Sequence, residues 1–205
     1  MRYNDKHGCL IIFVLMKDSI EHETEKSVLI LEKGGILLYP SDTIWGIGCD
    51  ATNEAAVEKI YHLKKRSKNK SMIILLDDEK NLSHYVDHVP QQVFQILQAS
   101  DKPTTIIYEN GKNIARNLLP SNHSIAIRIV KDPFCLALIH KLKKPIVSTS
   151  ANISDEPSPL YFRDISSAVL QGVDYVVNLY QHKNEKALPS SIIKLDNNGQ
   201  FTVIR

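Results

Sequence analysis

Between Leu37 and Gly48 the chain runs Leu37-Leu38-Tyr39-Pro40-Ser41-Asp42-Thr43-Ile44-Trp45-Gly46-Ile47-Gly48, an apolar stretch that gives way at once to hydroxyls, a carboxylate, an aromatic and two glycines. The residues up to Tyr39 suit a buried strand. Pro40 ends its ladder by removing a backbone donor. Gly46 and Gly48 are expected to supply backbone conformations that other residues resist. A loop of this composition beyond the carboxyl end of a strand is where an open α/β sheet binds ligands. Ser, Asp and Thr are also ordinary turn formers, so the loop alone fits a capped turn as well.

The length of 205 residues suits one medium domain, large enough to bury a core without disulfides or metal. Lys and Arg number 25 against 23 Asp and Glu, a net charge of +2. That balance gives no global field for nucleic acid or membrane, so any anion site must be local. Cys9, Cys49 and Cys135 are odd in number and widely spaced. They argue against a disulfide framework or a four-ligand zinc site and for a reducing, cytoplasmic setting. The apolar run Cys9 to Met16 is too short to span a bilayer. It is expected to be an edge strand, or part of a mis-assigned start with Met16 as the native first residue. Residues 1–18 are accordingly set apart as an N-terminal extension.

Ser19 is placed as the cap of a helix carrying Val28, Leu29 and Leu31, stopped by Gly34-Gly35. A strand follows at Ile36 to Tyr39. Asn53 caps a second helix through Leu63, with Ala56, Val57, Ile60 and Leu63 on one stripe. Further strands are expected at Met72 to Leu76, Thr104 to Tyr108, Ser124 to Val130, Ile146-Val147, Tyr175 to Leu179, Ser191 to Leu195 and Phe201 to Ile204. The last two are joined by a turn at Asn197-Asn198-Gly199. Helices are expected from a first-turn Pro90, over Phe134 to Leu142 and near Ile165 to Leu170. Interleaved strands and helices without repeats predict a single α/β domain with a twisted mixed sheet and flanking helices.

Three more groups of residues bear on chemistry. Lys64, Lys65, Arg66, Lys68 and Lys70 place five cations within seven residues. A helix C-terminus accounts for the first two, a solvated face is the common explanation of such a run, and an anion such as a triphosphate would justify all five. In Ser124-Ile125-Ala126-Ile127-Arg128-Ile129, alternation puts Ser124, Ala126 and Arg128 on one face and three isoleucines on the other. An arginine there needs an anionic partner, either a structural carboxylate such as Asp42 or a substrate carboxylate. Ser148-Thr149-Ser150-Ala151-Asn152, read as a loop after Val147, offers neutral donors and acceptors to a polar ligand, or is simply a serine-rich turn. There is no Gly-x-x-x-x-Gly-Lys-Ser/Thr loop, no Gly-x-Gly-x-x-Gly turn, no His-Glu-x-x-His and no glycine-flanked serine elbow.

Taken in order, these segments resemble the YrdC-domain family of threonylcarbamoyl-AMP synthases, over roughly Lys26 to Arg205. The resemblance rests on Tyr39-Pro40-Ser41-Asp42-Thr43-Ile44-Trp45-Gly46, Lys64-x-Arg66, Arg128 in its strand, Ser150-Ala151-Asn152, Pro189-Ser190-Ser191 and Val203-Ile204-Arg205. It implies a catalytic domain over 19–205 with a concave basic cavity. It also implies synthesis of L-threonylcarbamoyladenylate and pyrophosphate from L-threonine, bicarbonate or CO2, and ATP with Mg2+. The product would feed a downstream tRNA threonylcarbamoyl transferase complex that makes N6-threonylcarbamoyladenosine.

By the same resemblance Thr43, Arg128, Ser148 and Ser191 are threonine contacts, and Arg66, Lys70, Ser124, Ser150, Ser158 and Arg205 are nucleotide contacts. Lys64 and Asn152 support the phosphates and the loop, with Lys64 and Arg66 as the catalytic cations. The sequence departs from the family's habit at several places. Trp45 stands for Tyr, Ser41 for Thr, Ser67 for Pro, Asp155 for Gly and Leu75 for His, and a Trp-Pro-Gly-Pro segment is reduced to Lys102-Pro103. None removes a charged ligand group, so an active enzyme is expected. Two rivals use the same pocket or surface: a module binding tRNA or other double-stranded RNA, and a nucleotide-binding regulator without turnover.

Overall fold

The computed structural model describes residues 6–70, 72–183, 188–195 and 200–205, with backbone alone over 6–15. The first helix, α1 (Lys6–Glu32), takes up the apolar run expected to be an edge strand and passes straight through Ser19. Its buried side near the end includes Val28, Leu31 and Glu23. The Glu23 carboxylate accepts hydrogen bonds from the Tyr175 hydroxyl (2.8 Å) and the Asn178 amide (2.9 Å), which tie the helix to the last third of the chain. Gly34 and Gly35 stop it as expected. Gly34 has φ +72°, and a Cβ on Gly35 would sit 2.9 Å from the Ile30 carbonyl oxygen.

Strands β1 (Leu37–Tyr39) and β2 (Gly46–Gly48) form an antiparallel pair around the hydroxyl loop, so the end of the presumed loop, from Gly46 to Gly48, is strand. Neither Gly46 nor Gly48 has positive φ. Gly48 is there for space, because a Cβ would run into the Val147 carbonyl and come within 2.7 Å of the Tyr39 ring. Next come α2 (Glu54–Leu63), capped by the Asn53 side chain on the Ala56 amide at 3.0 Å, β3 (Ile73–Leu76) and a short α3 (Leu82–Tyr85). In α4 (Gln91–Ala99) Pro90 stands at the N-cap rather than in the first turn. The chain continues through β4 (Thr104–Tyr108), β5 (Ile125–Ile129) and α5 (Pro133–Leu142), which Asp132 caps. It ends with β6 (Ile146–Ser150), α6 (Ser167–Gly172), β7 (Tyr175–Val176), β8 (Ser191–Leu195) and β9 (Phe201–Val203). The expected turn at 197–199 lies outside the described residues.

The strands form one unclosed mixed sheet, in the order β7-β1-β2-β6-β3-β5-β4-β8-β9. β1/β7, β3/β5 and β4/β8 are parallel and the remaining neighbours antiparallel. Register turns alternation into two surfaces. Val147, Ile74, Ile127, Ile106 and Ile193 lie side by side across five strands and are all buried, the β-branched row on which the core is built. One residue along, Ser148, Ile73, Ala126 and Ile107 line up on the opposite face, and this row floors a cavity. Within the described residues no helix is long and apolar enough to cross a membrane.

Candidate active site

Two cavities adjoin one another, and the smaller opens on that row. The larger, about 740 Å³, is bordered by the Pro40–Trp45 loop, Lys102-Pro103, Lys131 to Pro133 and Leu188 to Ser191. The smaller, about 350 Å³, is bordered by Arg66, Ser148, Thr149, Ser150 and Ser158 over the sheet row. Thr43, Ile44, Trp45, Pro189, Ser190 and Arg205 line both. Trp45 is held by the Phe162 ring, with centroids 4.8 Å apart.

The hydroxyls at the shared wall form a directed chain. Ser41 Oγ donates to the Ile44 carbonyl at 2.9 Å and accepts from the Thr43 amide at 3.2 Å. Having one proton, Ser41 must then accept from the Thr43 hydroxyl across their 3.0 Å contact, which leaves Thr43 Oγ1 as acceptor for Arg128 Nη1 at 3.0 Å. Arg128 is 2 % exposed, on the same face as Ala126 two residues earlier. Its Nη2 lies 3.1 Å from Asp42 Oδ1. That contact is an ion pair without hydrogen-bond alignment, so Nε and Nη2 have no hydrogen-bond acceptor. Of the two partners open to Arg128 from sequence, the structure supplies the carboxylate of Asp42.

At the other end of the shared wall, Ser190 Oγ and Thr105 Oγ1 are 2.8 Å apart and buried. The Arg205 guanidinium donates twice to the Ser190 carbonyl, at 3.2 and 3.1 Å. β9 brings Arg205 back to the sheet, and its carbonyl accepts from the Ile192 amide at 2.9 Å. Thr105 and Ser190 were not singled out in the sequence; their only mark there is one hydroxyl in a strand and one in the Pro189-Ser190-Ser191 motif.

The five-cation run divides by environment. Lys64, at the C-terminus of α2 and 1 % exposed, donates from Nζ to the carbonyl oxygens of Ser150 and Asn152. Burial lowers its pKa to about 8, with the neighbouring Arg66 charge adding to the drop and Glu156 opposing it. Lys64 therefore fixes the end of β6 from behind and borders neither cavity. Arg66 Nε donates to the Lys70 carbonyl at 2.8 Å and its side chain lines the smaller cavity. Lys68 pairs with Glu58 at 2.9 Å and Lys70 with Asp155 at 3.0 Å, and neither lysine borders either of these cavities.

Of the residues assigned from sequence, Thr43, Arg66, Ser148, Ser150, Ser158 and Arg205 meet in the smaller cavity and Ser191 lines the larger. Arg128 lies beneath Thr43. Ser148 and Ser150 are strand residues and not a loop, since β6 extends to Ser150. Asn152 works inside its own turn, donating to the Ile153 and Glu156 carbonyls at 3.0 and 2.6 Å. Ser124 stands before the first residue of β5, away from both cavities, and its hydroxyl donates to Asn122 Oδ1 at 2.9 Å.

The family described as Telomere recombination, Sua5/YciO/YrdC, matches residues 29–205. This chain belongs to the Sua5/YciO/YrdC family. A threonylcarbamoyl-AMP synthase of Hahella chejuensis is 35% identical over 153 residues, 74% of this chain and 83% of that protein. Among solved structures, E. coli YciO has the same fold, with TM-score 0.77, 23% identity and coverage of 91% of this chain and 89% of that one. P. abyssi Sua5 complexed with L-threonine superposes with TM-score 0.78 at 20% identity over 89% of this chain. The chain spans about half the length of that Sua5, 53%. Of the motifs quoted from sequence, Pro40 to Gly46, Arg66, Ser150, Pro189-Ser190-Ser191 and Arg205 border the two cavities, and Lys64, Arg128 and Asn152 do not.

Proposed function

We propose that this chain is an L-threonylcarbamoyladenylate synthase, a nucleotidyltransferase that joins L-threonine, bicarbonate or CO2, and ATP with release of pyrophosphate for tRNA modification. The observation that carries the reading is convergence. Six polar residues from five separate segments, Thr43, Arg66, Ser148, Ser150, Ser158 and Arg205, share one cavity of about 350 Å³ beside a larger one. The curated relative's name and the threonine-bound Sua5 support the substrate assignment.

In this scheme the threonine amine forms a bond to the carbon of CO2 and loses a proton to solvent. A carbamate oxygen then attacks the α-phosphorus of ATP while the bond to the leaving pyrophosphate breaks. The nucleophile comes from substrate, so the protein positions groups and offsets charge. Arg66 and Arg205 face the phosphates. Thr43 addresses the threonine carboxylate from the cavity wall, and Arg128, which lies beneath Thr43 and donates to its hydroxyl, supplies positive charge behind it. Lys64 holds Ser150 in place. Among the described residues no group of three or more His, Cys, Asp or Glu could hold a metal ion. Magnesium would arrive with ATP as Mg·ATP and would there help to offset the phosphate charge. An RNA-binding module is not favoured, because a net charge of +2 supplies no broad basic field for a nucleic-acid backbone.

The test is pyrophosphate release from Mg·ATP with and without L-threonine and bicarbonate. Release that requires both, and an ATP requirement raised about tenfold or more by Arg66→Gln, is expected. Release indifferent to threonine, or none, would overturn the reading.

A further inference from the structure

Asp155 occupies a backbone site with φ +69°, a conformation natural to glycine and tolerated by Asp and Asn. Glycine is what the family resemblance leads one to expect there. The substitution adds a carboxylate in the turn between Asn152 and Ser158, and Ser158 is on the wall of the smaller cavity. Its Oδ1 takes the Lys70 ammonium at 3.0 Å, joining two loops 85 residues apart in sequence. Lys70 consequently points at Asp155 and borders neither cavity, although Arg66, whose side chain bonds the Lys70 carbonyl, lines the smaller one. The Asp155 charge is also felt by the Arg66 guanidinium, where it opposes the effect of burial.

Resting on the reading of ATP as substrate, we infer that Asp155 is an internal anion that competes with the nucleotide phosphates for Lys70 and so sets the ATP requirement of this enzyme. Phosphate entering beside Arg66 displaces the carboxylate, Lys70 turns from Asp155 to the phosphate, and the two loops part. The pair is solvent-exposed on both sides, with side chains 57% and 82% accessible, so the competition is a tuning device and not a block.

The experiment compares wild type, Asp155→Asn, Lys70→Gln and the double variant at one fixed ionic strength, because exposed pairs are screened by salt. Asp155→Asn keeps the backbone preference and removes the charge. It is expected to lower the KM for ATP about twofold to fivefold, the range set by an exposed ion pair, with kcat and the threonine KM unchanged. Lys70→Gln is expected to raise the ATP KM by a larger factor in the Asp155→Asn background than alone. An ATP KM unchanged in Asp155→Asn overturns the inference. So does a raised one, which would mark the carboxylate as helping to hold Mg·ATP. If wild type releases no pyrophosphate, the functional reading fails on its own, and the inference is decided by calorimetric titration with inorganic tripolyphosphate. Binding at least twofold tighter in Asp155→Asn supports it and equal binding overturns it.

Discussion

Arg128 joins a structural pair with Asp42 to a hydrogen bond on the wall of the candidate site through one guanidinium. A cation 2 % exposed needs a counter-charge, and Asp42 at 3.1 Å provides it, while Nη1 donates to Thr43 on the cavity wall. Removing the counter-charge alone is costly, on the order of 3 to 5 kcal/mol for a broken buried pair, so Asp42→Asn should lower the melting temperature by roughly 6 °C or more. Arg128→Lys keeps the charge but loses the fork. It should lower the melting temperature less and raise the threonine requirement about tenfold, with the ATP requirement within about twofold. Threonine titrations and thermal melts on both variants check this. An unchanged threonine dependence in folded Arg128→Lys would confine Arg128 to the Asp42 pair. The alternation of β5 made Arg128's face readable from sequence, since the period of a strand is local. Its partner was narrowed from sequence to two candidates, Asp42 or a substrate carboxylate, and only the fold decided between them, because Asp42 reaches Arg128 through the register of separate strands. Ser190 and Thr105 stayed hidden for the same reason.

Among the elements, those misread were the ones whose local chemistry disagrees with their tertiary role. Gly46-Ile47-Gly48 is poor strand material, yet β2 forms because β1 and β6 pair with it on both sides. Ser148 to Ser150 look like a turn and are strand, since one face of β6 floors a polar cavity and needs no apolar side chains. α1 overran Ser19 because a helix interior tolerates a serine that a sequence pattern takes for a cap. The two glycines of β2 give a paired prediction. A methyl at Gly48 meets the Val147 carbonyl and the Tyr39 ring, whereas one at Gly46 finds its nearest neighbours, Ser148 Oγ and Tyr39 Cζ, at 3.4 Å. Overpacking of this kind costs about 1 to 3 kcal/mol. Gly48→Ala should therefore depress the urea midpoint clearly and Gly46→Ala much less; equal losses would show that backbone freedom, not space, is what β2 requires.

For the molecule as a whole, alkaline pH sets buried groups of opposite sign against each other. Cys49 and Cys135 are fully buried, and burial raises both thiols well above the ordinary range. An unfolded chain releases those protons from about pH 8.5, while the folded protein keeps them, so the unfolded state binds fewer protons and stability falls as pH rises. Lys64 acts in the other direction. Its folded pKa is about 8 against an unfolded value near 10.4, so between those limits the unfolded state holds the extra proton and stability rises with pH. Each fully titrated group contributes a slope of about 1.4 kcal/mol per pH unit. Between about pH 9 and 10 two thiols outweigh one lysine, and net stability should decline. Urea unfolding at pH 8, 9 and 10 measures this directly. Lys64→Met should steepen the decline even though it lowers stability throughout, by leaving the Ser150 and Asn152 carbonyls without their donor. Replacing both buried cysteines by alanine should flatten or reverse the decline, because only the Lys64 slope then remains below the tyrosine range. A slope identical in all three proteins would mean that neither the thiols nor Lys64 are shielded from water in the folded chain, and the positioning role of Lys64 behind Ser150 would fall with it.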